Sequence, residues 1–392
     1  MERRASVFLG LFYFVFFAAA GIYTPYLGLY TRGLGFSSLQ IGFIAALTPL
    51  SKILFPPVWG AVADRTGSRK GLILLTTALS GLAFSLLFGA AAFPTVALAM
   101  LAYAFFHAPI LALCETLALE EATRGRFDYG RVRAWGSLGY LVTALVLGKI
   151  LDWTSMRAFL TAFVAVSALQ LFAAAGLPRA EAPRARRAAA GVLDQVLRPS
   201  VIGFLLACTL MEVSHSAYNG FFSIYLVEAG YTRGMIGPLT ALPVLCEMGA
   251  MIWADVWLRR WGGRTMLSLA FGCATIRWSL LAVGSGLSSV LLSQSLHSMT
   301  YGVFHVAAVH QIRRFFPAHL QASAQSLYIG LTYGLGGAVG LMAAGGLYDA
   351  YGGRILFLAS SLVALGGLPL VWRVPPSKTE GAPPTPESVP SS

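Results

Sequence analysis

Charged residues are few in this sequence. Asp, Glu, Lys and Arg make up 11% of its 392 residues, where a soluble domain carries about 25%, and the mean hydropathy is +0.70. A soluble globular protein is thereby excluded. Cysteine is scarcer still: Cys114, Cys208, Cys246 and Cys273 fall inside apolar runs and form no CxxC pair. That leaves neither a disulfide framework nor a zinc site. No HExxH or GxSxG motif occurs, so an enzyme is not expected, and neither a metal nor a cofactor. The net charge of +12 comes in short basic clusters between apolar runs, without interleaved aromatics, which argues against a nucleic-acid partner.

Long apolar runs are what the sequence has most of. A bilayer core about 30 Å thick needs about 20 apolar residues per helix, and each crossing with its loop uses about 28 to 30. The length holds about twelve crossings and no separate soluble domain. Reading apolar runs against charged or Gly/Pro breaks predicts helices over 6–30, 38–62, 71–92, 95–119, 132–152, 157–177, 199–226, 235–258, 264–285, 289–312, 321–348 and 355–373. Met1–Gly21 has the outline of a secretory signal, but its apolar stretch continues past Tyr26 and further spans follow, so it reads as the first membrane helix.

Basic residues give the orientation. Outside the helices, about 20 Lys and Arg lie at the N-terminus, in alternate loops and in the tail, against about 4 in the opposite loops: Arg32, Arg157, Arg233 and Arg354. Both termini are expected in the cytoplasm. The Arg-, Ala- and Pro-rich stretch 178–198 divides the chain into two bundles of six helices, 1–177 and 199–373, and 374–392 is expected to be a disordered tail. The halves repeat each other weakly: Tyr103-x-x-Phe106-His107 returns as Tyr301-x-x-Phe304-His305, Gly148…Asp152 as Gly345…Asp349, and Ala63-Asp64 as Ala254-Asp255. Tandem halves of this kind put a substrate site at the midplane between them.

One loop reads Gly60-Ala61-Val62-Ala63-Asp64-Arg65-Thr66-Gly67-Ser68-Arg69-Lys70. It resembles the signature loop of the major facilitator superfamily, which implies an all-α membrane protein of twelve transmembrane helices in two pseudo-symmetric halves. Asp64, Arg65 and Arg69 are then expected to gate the cytoplasmic side, with Asp64 pairing to arginines in one state and releasing them in the other.

The segment Asp128-Tyr129-Gly130-Arg131-Val132-Arg133-Ala134-Trp135-Gly136-Ser137-Leu138-Gly139-Tyr140 looks like that of the lactose permease group, and more closely like that of the phenylpropionate permeases. The resemblance implies substrate binding by Glu115, Arg133 and Tyr140. In the second half, Glu247, Arg277 and His297 match by context the residues that the lactose permeases use for substrate binding and proton coupling. All three lie near mid-membrane, where a stranded charge costs at least about 2.5–3.5 kcal/mol and must pair or line a wet cavity. Glu212 and His215, one turn apart, reach a similar depth. Departures matter as well: the lactose permease group's proton-carrying glutamate is Thr300 here, a nearby lysine is Gln294, a sugar-binding asparagine is Ala250, and the lysine opposite Glu212 is Tyr333.

Lys52, deep in its helix beside Pro49, Pro56 and Pro57, is either a counter-ion to a neighbouring acid or the receptor for an anionic substrate. Gly334-x-Gly336-Gly337-x-x-Gly340 resembles a dinucleotide loop only in letters, since no strand precedes it, and close helix packing is the reading. The expected function is secondary active transport: a monomer in the inner membrane taking up a small polar or anionic organic solute, an organic or aromatic acid favoured, with the proton as coupling ion. The proton is expected on Glu247, then Glu212, then Glu115. Sugar or nucleoside symport, and export of drugs or lipids, are the rivals.

Overall fold

The computed structural model describes residues 2–125, 127–178 and 192–376. Among them there is no strand, as expected where backbone polar groups must be satisfied without water. The N-terminal set of helices is α1 (Glu2–Gly33), α2 (Ser38–Leu54), α3 (Pro56–Thr66), α4 (Arg69–Ser85), α5 (Phe93–His107), α6 (Ile110–Thr123), α7 (Tyr129–Trp153) and α8 (Arg157–Ala175). A short α9 (Val192–Val196) leads into the C-terminal set: α10 (Pro199–Glu228), α11 (Arg233–Val283), α12 (Leu287–Ser295), α13 (Phe304–Phe315), α14 (Gln321–Ile329) and α15 (Gly337–Trp372). Residues 179–191 of the expected linker and 377–392 of the expected tail lie outside the described residues.

Local chemistry sets the helix ends. Ser37 and Gln40 form a reciprocal capping box at the start of α2, Ser68 accepts from Gly71 N at the start of α4, and Asp128 accepts from Arg131 N at the start of α7. Pro56 cannot continue the hydrogen-bond ladder of α2, and α3 departs from it at 50°. Where one helix was expected over 289–312, a π-helical turn at Ser298–Val303 separates α12 from α13, and a second at Gly330–Gly336 separates α14 from α15.

Eight helices among the described residues are long and apolar enough to cross a bilayer, nine if α2 and α3 count as one bent crossing. α11 has 51 residues, which at 1.5 Å per residue would exceed any bilayer if straight. Gly262 at φ 75° and Gly352 at φ 75° turn α11 and α15 sharply, each into two helices, in a backbone region that glycine alone enters readily.

The seam between the two sets is tight at one end. α2 packs on α15, α7 on α11, and α1 on α10. A Cβ at Gly42 would strike the Leu341 carbonyl oxygen, and one at Gly237 that of Ala144. At the same end, Asp349 accepts hydrogen bonds from Ser38 N at 2.7 Å and Leu39 N at 2.8 Å. Asp152 accepts one from Gly234 N at 2.8 Å and a longer one from the Thr232 hydroxyl at 3.3 Å. Each aspartate thus caps the N-terminus of a helix in the other set, where unpaired N–H groups and the helix dipole favour an anion. The preceding glycine of each Gly-x-x-x-Asp repeat explains the approach: a Cβ on Gly148 would meet the backbone of Arg233 and Gly234, and one on Gly345 that of Ser38 and Leu39. Arg32 pairs with Glu228 at 3.0 Å beside these caps, and Tyr348 donates to the same carboxylate at 2.6 Å.

Candidate functional site

A cavity of about 220 Å³ opens on the seam, lined from the N-terminal side by Tyr23, Thr48 and Lys52 and from the C-terminal side by Glu212, Asn219 and Tyr333. Lys52 comes from the last turn of α2, just before the helix breaks, and its side chain is accessible within this space. Glu212 and Asn219 lie two turns apart on α10 and so share a face. Tyr23 and Thr48 hold each other by a hydroxyl–hydroxyl bond of 2.8 Å, and Tyr23 stacks on Tyr103 at 5.7 Å. Lys52 and Glu212 line this one cavity from opposite sides of the seam. Tyr333 lines the cavity with Glu212 where the resemblance implied a lysine, and the cation in that cavity is Lys52, from the opposite set of helices. A second chamber of about 30 Å³ has Asn219 in its wall too, and there Tyr140 of α7 and Tyr218 of α10 line the same space.

Away from the tight end of the seam the structure brings Glu115 and Arg133 together, with Nε to Oε1 at 3.5 Å. The guanidinium lies 4.2 Å from the ring centre of Phe17 and 5.4 Å from that of Tyr13, a stacked arrangement that suits arginine better than lysine. Arg69 turns inward: it is 1% exposed and binds Glu120 of α6 at 2.6 Å. It ties α4 to α6 within one set of helices, while Asp64 and Arg65 remain exposed. Lys70 donates to the carbonyls of Ala175 and Leu177, closing the end of α8.

The C-terminal set buries its arginine completely. Arg277 is 0% exposed, donates to Thr300 Oγ1 and Gln294 Oε1 at 3.2 Å each, and lies between the rings of Tyr218 and Trp278 at 4.6 and 4.3 Å. No carboxylate among the described residues pairs with it, and its Nε has no hydrogen-bond partner. Thr300 also meets His215 Nε2 at 3.1 Å, so the two departures Thr300 and Gln294 together serve Arg277. Glu247 approaches His297 Nε2 at 3.8 Å, and His297 stacks on Tyr301 at 5.3 Å. The π-helical turns carry Thr300 and Tyr333. An extra residue in a helical turn re-aims side chains, a distortion common where function sits. Arg277 and His297 both pack on Tyr218, His297 on Tyr301 as well, and neither is among the residues that line the central cavity.

Tyr23, Thr48, Asn219 and Tyr218 were not anticipated as site residues. Asn219 carried one signal, as the single asparagine of the chain; Tyr23 and Thr48 look like ordinary helix residues until the seam is assembled.

A polar, charge-bearing cavity between two sets of apolar helices defines a membrane transporter for small solutes rather than an enzyme. The chain belongs to the major facilitator transporters, since the model of the MFS_1 like family matches residues 7–359. It is similar to the "Probable 3-phenylpropionic acid transporter" of Escherichia coli (strain K12), with 29% identity over 96% of this chain and 100% of that one. A maltose permease of Geobacillus stearothermophilus is 28% identical over 93% of each chain. The crystal structure of the nucleoside transporter NupG superposes with a TM-score of 0.83 at 17% identity, over 93% of this chain and 98% of that one, a likeness of fold.

Proposed function

We propose that this chain is a proton-coupled uptake symporter for a small organic acid, aromatic acids favoured, working by alternating access. In this reading about twelve crossings form two six-helix halves, 1–177 and 199–373, joined by the cytoplasmic stretch 178–198. Both termini are cytoplasmic, and the protein works as a monomer in the cell inner membrane. The excess of Lys and Arg at the other end supports reading the seam end with Asp152 and Asp349 as the outer one, and the tight packing there supports an inward-facing state.

The observation that carries this reading is the cavity in which Lys52 of one half and Glu212 of the other line a common wall with Tyr23 and Tyr333. An ammonium receives a carboxylate, a buried carboxylate receives a proton, and tyrosine faces receive an aromatic ring. The likeness to the phenylpropionic acid transporter supports that substrate class. Glu247 beside His297 and Glu115 beside Arg133 are further proton-binding candidates. Thr48 and Asn219 in the same wall favour a second reading, sugar symport, which the maltose permease likeness also supports. Export of apolar drugs or lipids suits this wall poorly, since an apolar solute would strip water from its charged groups without replacing it.

The test is uptake of labelled 3-phenylpropionate and labelled maltose by proteoliposomes with an acidic exterior. Accumulation of the acid above its external level, abolished by a protonophore, is expected. Accumulation of maltose alone, or uptake of the acid indifferent to the gradient, would contradict the proposal.

A further inference from the structure

Three carboxylates were candidates for the coupling proton, and their surroundings differ. Glu115 has its cation, Arg133, on its own side of the seam, and Glu247 has His297 on its own side. Glu212 alone of the three shares the central cavity with a cation from the other half, Lys52. Among the described residues, neither Lys52 nor Glu212 forms an ion pair within 4.0 Å, and both open onto the same cavity. Their charges face one another across cavity space. The titratable groups around them are Tyr23 of α1, His107 of α5, Tyr301 and Tyr333 of the two π-helical turns, and Tyr328 of α14; His305 of α13 reaches Tyr333 at 3.4 Å.

Resting on the organic-acid reading above, we propose that Lys52 and Glu212 form the coupling pair: the substrate carboxylate takes Lys52 as its counter-ion, and Glu212, left without one, takes up the transported proton. The logic is charge balance in a desolvated space. Without substrate, Lys52⁺ and Glu212⁻ neutralise each other across the seam. A carboxylate entering between them would put two anions against one cation, a repulsion that is large at a separation of a few ångströms away from bulk water. One proton on Glu212 removes it. The loaded site then holds Lys52⁺, the substrate anion and a neutral Glu212, and so carries the same net charge as the empty one. Transport is therefore electroneutral for a monocarboxylate, and it avoids the roughly 2.3 kcal/mol per charge that a 100 mV potential would otherwise impose. Because the two groups belong to different halves, both the empty and the loaded carrier can close over a neutral centre, whereas a carrier loaded with acid or proton alone cannot. Thr300 in place of an acid is then no loss, since coupling resides at Glu212.

Purified full-length protein in nanodiscs would be titrated with 3-phenylpropionate and with its neutral amide, reading affinity by calorimetry and proton uptake with a pH dye in weak buffer. The parent protein is expected to take up one proton per acid bound and none with the amide, its affinity for the ionised acid falling by up to about tenfold per unit as the pH rises. Glu212→Gln should bind the acid without proton uptake and without that pH dependence. Lys52→Gln should lose at least about tenfold in acid affinity, and Lys52→Arg should keep most of it. Proton uptake that survives in Glu212→Gln, or acid affinity undiminished in Lys52→Gln, overturns the pair. Should a variant fail to elute as a monodisperse protein, the parent's proton count decides: acid binding without proton uptake overturns the proposal by itself. A parent protein that binds maltose but no acid overturns the organic-acid reading, and the pair falls with it; that result appears before any variant is made.

Discussion

The two ends of the seam are built from similar residue types and held in different ways. At one end, aspartates of the two Gly-x-x-x-Asp repeats reach across and cap helices of the opposite set. At the other, the charged residues mostly satisfy one another within a half: Arg69 with Glu120, Arg133 with Glu115, Lys70 with the end of α8. A carboxylate on backbone N–H groups needs only that the two helices stay in register, and the glycine one turn earlier allows that register. Ion pairs kept within each half leave the halves free to part. The difference teaches that closure depends less on how many charges an end carries than on whose partners they are.

The largest effect should come from filling the glycine contact. Gly345→Leu with Gly148→Leu would drive side chains into Ser38–Leu39 and Arg233–Gly234, and should nearly abolish uptake while the protein still assembles, as read by transport and by size-exclusion profile. Removing both caps by Asp152→Ala and Asp349→Ala is the next largest, costing about 0.5–2 kcal/mol per cap. It should move the population toward opening of that end, seen as faster cysteine labelling there. Asp64→Asn should act with the opposite sign, favouring the state described here by about 1–3 kcal/mol and slowing labelling at the capped end. The smallest effect is expected for Arg32→Ala: its pair with Glu228 is half-exposed and is worth about 0–1 kcal/mol. A result for Arg32→Ala as large as that for the double cap variant would break the comparison.

Much of this arrangement was legible in the sequence. Helices expected over 132–152 and 199–226 are found at Tyr129–Trp153 and Pro199–Glu228, because apolar length and flanking charge are local signals. The Gly-x-x-x-Asp repeat was visible as a repeat; its role was not, since it is defined by the backbone of a partner helix more than 80 residues away. Losses also read more easily than compensations. Tyr333 where a lysine was expected, and Thr300 where an acid was, are evident in one dimension. That Lys52 faces Glu212, and that Thr300 and Gln294 bind Arg277, depends on how distant helices meet. The π-helical turns, which carry Thr300 and Tyr333, leave no period in the sequence to find. Arg69 shows the reverse case: it lies in a recognisable loop, yet its guanidinium is buried against Glu120 inside one half.

The most direct test of releasable closure is a pair of distance measurements in one preparation. In a background lacking native cysteines, spin labels would be placed at Thr154 and Tyr351 for the capped end, and at Thr66 and Arg260 for the other. The distances would be compared between the parent and the Asp152→Ala, Asp349→Ala double variant. The account predicts reciprocal change: the capped-end distance lengthens and the opposite-end distance shortens as the population shifts. If neither distance changes, or if both change in the same direction, the caps do not close one end of an alternating-access carrier and the account is contradicted.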